Sequence, residues 1–353
     1  MENINLEALP PHIAQHAEKA YERVTAFDPE GDSFRVFFIT DIHIGGNENA
    51  RQYGFLHTIA PAFHPDLLVN GGDLGLDLGE DEATSEAVLS ANENGMNLFD
   101  EPFVLLKGNH DYGTQKVPND VLNHRFNDRF VKLAGSHVNW VFEPHGGQYG
   151  VYHDPKTNVY LFLLNTSEGD KGNYQVFWEQ IRYLGNQLMK LPANARVLWM
   201  SHRDIDASGF WSPADAKWDE PRFHFDTLKR LVEAFANRKS FQEEDLSFDF
   251  TKLSSSIRFY GWLCGDSHFF NDQTTNGVRY MVREGYGGVE LQNVAKGGHK
   301  TEYNLQMPHP DKELECDCDL LVFRNDGKAK LFHFGPDEEK GDCSISNDVK
   351  QNR

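Results

Sequence analysis

Phe34-Arg35-Val36-Phe37-Phe38-Ile39-Thr40-Asp41-Ile42-His43 opens on an apolar, β-rich run and stops at an aspartate and a histidine. A run without polar alternation belongs to a strand buried on both faces, as parallel strands are when layers cover them. Two later stretches repeat the form. Asp66-Leu67-Leu68-Val69-Asn70 ends in Gly71-Gly72-Asp73, and Phe103-Val104-Leu105-Leu106-Lys107 ends in Gly108-Asn109-His110-Asp111. Helical stretches near 51–62 and 82–97 supply the crossovers that parallel strands need, so the opening reads as βαβαβ.

Upstream, Ile13, Ala17, Ala20, Tyr21, Val24 and Phe27 fall on one stripe of an amphipathic helix over 11–27. That stripe suits packing on its own domain or on a second subunit. Downstream, Tyr149-Gly150-Val151-Tyr152 and 158–164 flank Asp154-Pro155-Lys156-Thr157, two antiparallel strands and a turn that begin a second sheet. A helix over 175–190 leads to Arg196-Val197-Leu198-Trp199-Met200, which halts at Ser201-His202-Arg203. The stretch 205–223, with Phe210, Trp211 and Trp218, has no clean period and reads as a loop insertion. A helix over 224–238 and an acidic linker around Glu243-Glu244-Asp245 precede the run from Ile257 to Cys264, which ends in Gly265-Asp266-Ser267-His268. Asn325-Asp326-Gly327 between two apolar runs signals a hairpin. The stretch 336–353 reads as a frayed polar tail.

The chain has 353 residues, 39% hydrophobic and 25% charged, which excludes a collagenous or wholly disordered polymer. No repeat or long Gly/Ser linker divides it, so one domain is expected over 34–335, with a helical extension over 1–33 and the tail over 336–353. No window is apolar enough for a membrane span, and the start lacks the order of a signal peptide. Cys264, Cys316, Cys318 and Cys343 are too few and too clustered for a disulfide framework. Cys316 and Cys318 read as strand residues on one face, and no second Cys/His pair completes a zinc site with them. The cytoplasm is the expected compartment. Net charge is −20, from 34 basic against 54 acidic residues, so extended nucleic acid is an unfavourable partner. A divalent cation in a carboxylate-rich cleft reverses that field locally.

Five strand ends deliver metal-capable side chains: Asp41 with His43, Asp73, Asn109 with His110, His202, and Asp266 with His268. Ligands in open α/β folds gather beyond the carboxyl ends of the strands, where residues far apart in sequence converge. Oxygen and nitrogen donors without thiolate suit manganese, iron or zinc, and a shared carboxylate holds two such ions roughly 3.5–4 Å apart. The chemistry this permits is in-line displacement at phosphorus.

In this order and strand context, Asp41-Ile42-His43, Gly72-Asp73, Gly108-Asn109-His110-Asp111, Ser201-His202 and Gly265-Asp266-Ser267-His268 resemble the five motifs of the calcineurin-like metallophosphoesterases. The resemblance implies two facing mixed β-sheets flanked by helices, an αββα sandwich. It further implies that Asp41, His43 and His268 hold one metal, that Asp73 bridges, and that Asn109 and His202 hold the second. His110 would stabilise the phosphoryl group or protonate the leaving oxygen, and Asp111 would accept from its other ring nitrogen.

Two departures from the family pattern stand out. The last motif is usually Gly-His-x-His, so Asp266 occupies the place of a ligand histidine on the second metal. A carboxylate there makes the site harder and more anionic, favouring manganese or magnesium over zinc. Purple acid phosphatases carry Tyr three residues after the bridging Asp, where this chain has Leu76. The Asn-His-Asp and Gly-Gly-Asp-Leu sequences are similar instead to a bacterial phosphodiesterase-like branch.

The implied activity is hydrolysis of a phosphodiester or phosphomonoester of a small molecule or nucleotide. A nuclease of the same fold and a scaffold that has lost turnover are the alternatives. The charge opposes the first, and the retained ligands oppose the second. Arg203 reads as a phosphate clamp or as an ordinary ion-pairing residue, and Asp77 as a support for a ligand or as a loop cap. Trp211 and Trp218 read as pocket or loop-packing residues. Glu80-Asp81-Glu82 marks a helix start. His57, His64, His124 and His137 have no motif partner.

Overall fold

A computed structural model describes residues 9–44, 51–75, 78, 81–111, 116–142, 148–167, 176–203, 224–266, 271–283, 318–334 and 342–345. Helix α1 (Pro11–Phe27) leads to β1 (Phe34–Ile39), and α2 (Arg51–Phe63) crosses to β2 (Leu67–Asn70). Helix α3 (Glu82–Met96) crosses to β3 (Phe103–Leu105), followed by α4 (Asn119–Phe130). The second half runs β4 (Val138–Phe142), β5 (Gln148–Asp154), β6 (Val159–Leu163), α5 (Trp178–Met189), β7 (Arg196–Met200) and α6 (Phe225–Ala236). It continues through β8 (Ser240–Glu243), β9 (Leu246–Asp249), β10 (Arg258–Cys264), β11 (Asn271–Thr275) and β12 (Val278–Val282). The last strands are β13 (Cys318–Phe323), β14 (Ala329–Phe334) and β15 (Cys343–Ser344).

These strands form two mixed sheets, ordered β15-β14-β13-β1-β2-β3 and β11-β12-β10-β7-β6-β5-β4, with β8-β9 as a separate hairpin. In the first sheet β1, β2 and β3 are parallel, and β13 is antiparallel to β1 with Phe38 opposite Asp319. In the second, β6, β7, β10 and β12 are parallel.

Side-chain alternation explains why β1 is apolar throughout. Phe34, Val36 and Phe38 enter a core shared with Leu161, Leu163, Leu198 and Met200 of the second sheet. Phe37 and Ile39 enter a core with Ile13, Ala17, Leu56 and Leu89 of the helices. Strand β7 does the same from the other side: Leu198 and Met200 face the first sheet, whereas Val197 and Trp199 pack with Leu184, Leu231 and Phe235 of α5 and α6. The layers are therefore helices, sheet, sheet, helices, the sandwich that the motif resemblance implies. The stripe of α1, left open between two destinations by its spacing, is buried in the chain's own first core.

Some elements depart from the sequence reading. The acidic linker is the turn of the β8-β9 hairpin, in which Phe241 and Phe248 are buried and Glu243 pairs with Leu246. Inside the stretch read as a frayed tail, β15 adds to β14, with Leu331 opposite Cys343 and Ile345 buried. The polar strand β11 pairs with β12 across Asn276-Gly277, a turn in which both residues have positive φ. Asp81 caps α3 by accepting from the Thr84 amide at 2.9 Å. The insertion 205–223, with Trp211 and Trp218, lies outside the described residues, as do Cys316, Leu76, Asp77, Glu80 and His268. No helix of the described residues is long and apolar enough to cross a membrane.

Candidate metal centre

Five parallel strands, β1, β2 and β3 of one sheet and β7 and β10 of the other, end at the same edge of the sandwich. The backbone turns sharply there. Asp41, His43, Asp73 and Asp266 have φ of 54°, 46°, 56° and 68°, in the left-handed region that Asp, Asn and His tolerate best among residues with a side chain. Two glycines permit the close approach. A Cβ on Gly108 would overlap the Asp73 carboxylate and amide, and one on Gly265 would overlap Thr40 Oγ1 and Asp41 Oδ2. Cross-sheet bonds close the edge: the Asp266 amide donates to Asp41 Oδ2 at 3.1 Å, and the His202 ring bonds the Gly71 carbonyl at 2.9 Å.

The first donor group is Asp41, His43 and Asp73, all buried, with one ligand atom from each lying within 4.8 Å of the others. His43 Nε2 is 3.9 Å from Asp41 Oδ1 and 3.7 Å from Asp73 Oδ2. Its Nδ1 faces the Gly75 carbonyl at 3.4 Å. A carbonyl only accepts, so the hydrogen belongs on Nδ1 and Nε2 presents its lone pair to the group. Thr40 Oγ1 donates to Asp41 Oδ2 at 2.6 Å and fixes that carboxylate.

The second group surrounds His202 Nε2. Asn109 Oδ1 lies at 2.8 Å, Asp73 Oδ1 at 3.4 Å and Asp266 Oδ1 at 3.5 Å. Asp73 thus turns one oxygen to each group. Burial alone would raise its pKa, but His202, His110 and His43 hold it well below the usual carboxylate range. Burial would likewise lower His202, and the Asp73 and Asp41 carboxylates reverse this, raising it well above the usual imidazole range. Three carboxylates and one amide oxygen converging on two imidazoles leave acceptors in excess of hydrogens, an arrangement that attracts a cation. The donor set of buried carboxylates, imidazoles and one amide oxygen fits two hard or borderline divalent ions.

Asp266 is itself held. Arg203 Nε donates to its Oδ2 at 2.7 Å, and the Arg203 amide donates to Thr166 Oγ1 at 3.1 Å. Of the two readings of Arg203, the described contacts are those of an ion pair.

The His110 amide donates to Asp73 Oδ1 at 2.8 Å, and its half-buried ring stands edge-on to His43 with centroids 5.3 Å apart. Asp111 requires a correction. The resemblance makes it the acceptor of a His110 ring nitrogen, whereas its carboxylate accepts from the amides of Asp73, Leu74 and Gly108, each at 2.9 Å. The side chain turns between the loops after β2 and β3, where these amides converge, and so pins the loop that carries Asp73. Burial and then the Asp73 charge push it up to about 6, against those amides.

Further supports escaped the sequence reading. Asn70 Oδ1 accepts from the Gly72 amide at 2.9 Å, and Asn70 Nδ2 donates to Tyr53 Oη at 3.0 Å. Tyr53 in turn donates to Asn92 Oδ1 at 2.8 Å. The available signal was a polar residue closing an apolar run immediately before the Gly-Gly turn.

Comparisons with known proteins bear on the family and the fold. A model of the calcineurin-like phosphoesterase family matches residues 34–250, a stretch that stops short of Gly265-Asp266. No curated protein matches significantly. A dimetal phosphatase from Danio rerio shares 12% identity, covering 89% of this chain and 98% of that one, with a TM-score of 0.55. GAP50, described as the anchor in the inner membrane complex of Plasmodium, shares 11% over 90% of both chains, with a TM-score of 0.46. The identities are low, so the likeness to the zebrafish structure speaks for the fold alone. The family match spans most of the chain and includes four of the five strand-end motifs, and from it the chain belongs to the calcineurin-like phosphoesterases, metal-dependent hydrolases of phosphate esters.

Proposed function

We propose that this enzyme hydrolyses a phosphodiester or phosphomonoester of a small molecule or nucleotide, using two divalent ions of which manganese is the preferred kind. The observation that carries the reading is the Asp73 carboxylate, grouped with Asp41 and His43, with Oδ2 toward His43 and Oδ1 toward His202. Asp41, His43 and Asp73 would hold one ion, with His268 completing the set. Asp73, Asn109, His202 and Asp266 would hold the other. Such ions supply Lewis acidity, neutralising the phosphoryl oxygens and making water nucleophilic near neutral pH.

The protein's own part is to orient and to move a proton. His43 and His202 are each turned by an Nδ1 bond to a backbone carbonyl, so their Nε2 atoms face the cleft. Asp111 holds the Asp73 loop rigid. His110, beside His43 and tethered by its amide to Asp73, is the group to protonate the leaving oxygen or to steady the phosphoryl group. The oxygen-rich second group, with Asp266 in place of histidine, supports manganese or magnesium over zinc. A net charge of −20 supports a small substrate over extended nucleic acid. The buried thiols of Cys264 and Cys318 accord with a reducing cytoplasm.

The test is manganese-dependent hydrolysis of bis(p-nitrophenyl) phosphate and p-nitrophenyl phosphate, with a chelator control and His110→Ala. Turnover should need the metal and fall by roughly 10²–10⁴-fold in the variant. Turnover that survives both chelation and the substitution would refute the reading.

A further inference from the structure

Asp266 stands where the family pattern has a neutral histidine, so it brings an extra negative charge to the second donor group. Arg203 meets that charge directly. Its Nε lies 2.7 Å from Asp266 Oδ2, with both side chains less than a tenth exposed. The remaining oxygen, Oδ1, is the one nearest His202 Nε2, at 3.5 Å. The carboxylate is also seated from behind, since the Asp266 amide donates to Asp41 Oδ2 and the Arg203 amide donates to Thr166 Oγ1. One oxygen is thus committed to the guanidinium while the other is aimed at the donor group.

We infer that Arg203 and Asp266 act as one unit that replaces a neutral ligand histidine: Asp266 Oδ1 donates to the second metal, and Arg203 cancels the added charge. Arg203 is then a positioning residue rather than a phosphate clamp. This inference rests on the two-metal reading above and deepens it. Its specific consequence is that restoring the family's histidine alone is harmful. In Asp266→His the site loses a unit of negative charge while the Arg203 guanidinium stays beside the incoming dication. In Arg203→Gln the carboxylate is uncompensated and the dication is attracted more strongly. A purely structural pair would behave otherwise, because breaking it from either side would loosen the site.

The experiment measures Mn²⁺ bound per full-length chain and the dissociation constant of the weaker ion by equilibrium dialysis, with the spin-coupled Mn²⁺ pair followed by electron paramagnetic resonance. Thermal melts check folding. For Asp266→His we expect the weaker ion to dissociate at least about tenfold more readily, from a unit charge a few ångströms away. For Arg203→Gln we expect binding tighter than wild type, and for Arg203→Gln/Asp266→His a return to near the wild-type value. Should the histidine variants fail to fold, Asp266→Asn and Arg203→Gln/Asp266→Asn test the same order of charges. Weakening in both single variants, or no weakening in Asp266→His, would overturn the inference while leaving the two-metal reading intact. Fewer than two ions on the wild type would overturn both.

Discussion

Asp266 and Asp319 each lie between an arginine and a histidine, and the two clusters have opposite characters. Around Asp319 every oxygen is engaged: Arg283 donates to Oδ2 at 2.8 Å and to Oδ1 at 2.7 Å, and His333 Nδ1 is 3.0 Å from Oδ1. Arg283 follows β12 of one sheet and Asp319 lies in β13 of the other, so the fork ties the sheets together near the site. Asp266 receives a single arginine nitrogen, and its second oxygen faces a histidine that also meets Asp73 and Asn109. The histidines titrate accordingly. Burial lowers His333 despite Asp319, whereas the carboxylates around His202 raise it despite burial. The same three residue types make a structural tie where the pairing closes on itself. They make the donor group of the proposed metal site where a second carboxylate leaves acceptors in excess.

Breaking each cluster should therefore register in a different observable. The largest effect is expected from Asp73→Ala, which removes the oxygens common to both donor groups. Its loss of turnover should exceed the roughly 10–100-fold typical of losing a supporting partner, and bound manganese should fall with it. Arg283→Ala should instead cost about 3–5 kcal/mol in urea unfolding, because it strands the buried Asp319 charge. Its folded fraction should keep its metal. If Arg283→Ala emptied the metal site while unfolding normally, the contrast between the clusters would collapse.

Acid should sharpen the contrast further. His333 is held below its usual value of 6.5, chiefly by burial, so the unfolded chain takes up that proton first as pH falls. Its stabilising contribution is complete above about 6.5 and declines below that point. Asp319, which burial alone would raise, is held below 3.8 by Arg283 and His333, so its contribution is complete above 3.8 and is lost as pH falls through its lower folded value. With chelator present, Asp111 and His202, both raised in the folded chain, favour folding on acidification and oppose this fall, so the readout is the difference between wild type and His333→Gln: a loss of stability that begins near 6.5 in the wild type alone. An unchanged pH profile in that variant would contradict the assignment. The smallest effect belongs to Thr166→Val, which takes the acceptor from the Arg203 amide. It should cost roughly 1–2 kcal/mol. Affinity for the second ion should move by less than about tenfold, because the Asp266 contact is untouched.

Much of this is legible in the sequence. The run from Phe34 to Ile39 announces a doubly covered strand, and Asp41, Asp73, Asn109, His202 and Asp266 each follow such a run. Short polar strands were harder to read. Asn271–Thr275 carries almost no apolar signal and is held by its pairing with β12. Glu243 and Leu246 close a hairpin whose acidic turn resembles a linker. Asp319 and His333 sit inside apolar runs as single polar letters, and nothing local reveals that they meet. For Asp111 the resemblance implies a bond to the His110 ring, whereas three backbone amides brought together by two loops claim its carboxylate.

The sequence by itself determined the apolar strands, the polar stops at their carboxyl ends and the kind of donor each stop presents, because periodicity and residue chemistry are local properties. Only the tertiary structure decided that the Asp111 carboxylate turns to the loop carrying Asp73, that Arg203 answers Asp266, and that Asp319 pairs with Arg283 across the two sheets. Those outcomes depend on distances of a few ångströms between residues far apart in the chain, and electrostatic energy follows distance and burial, not order in sequence.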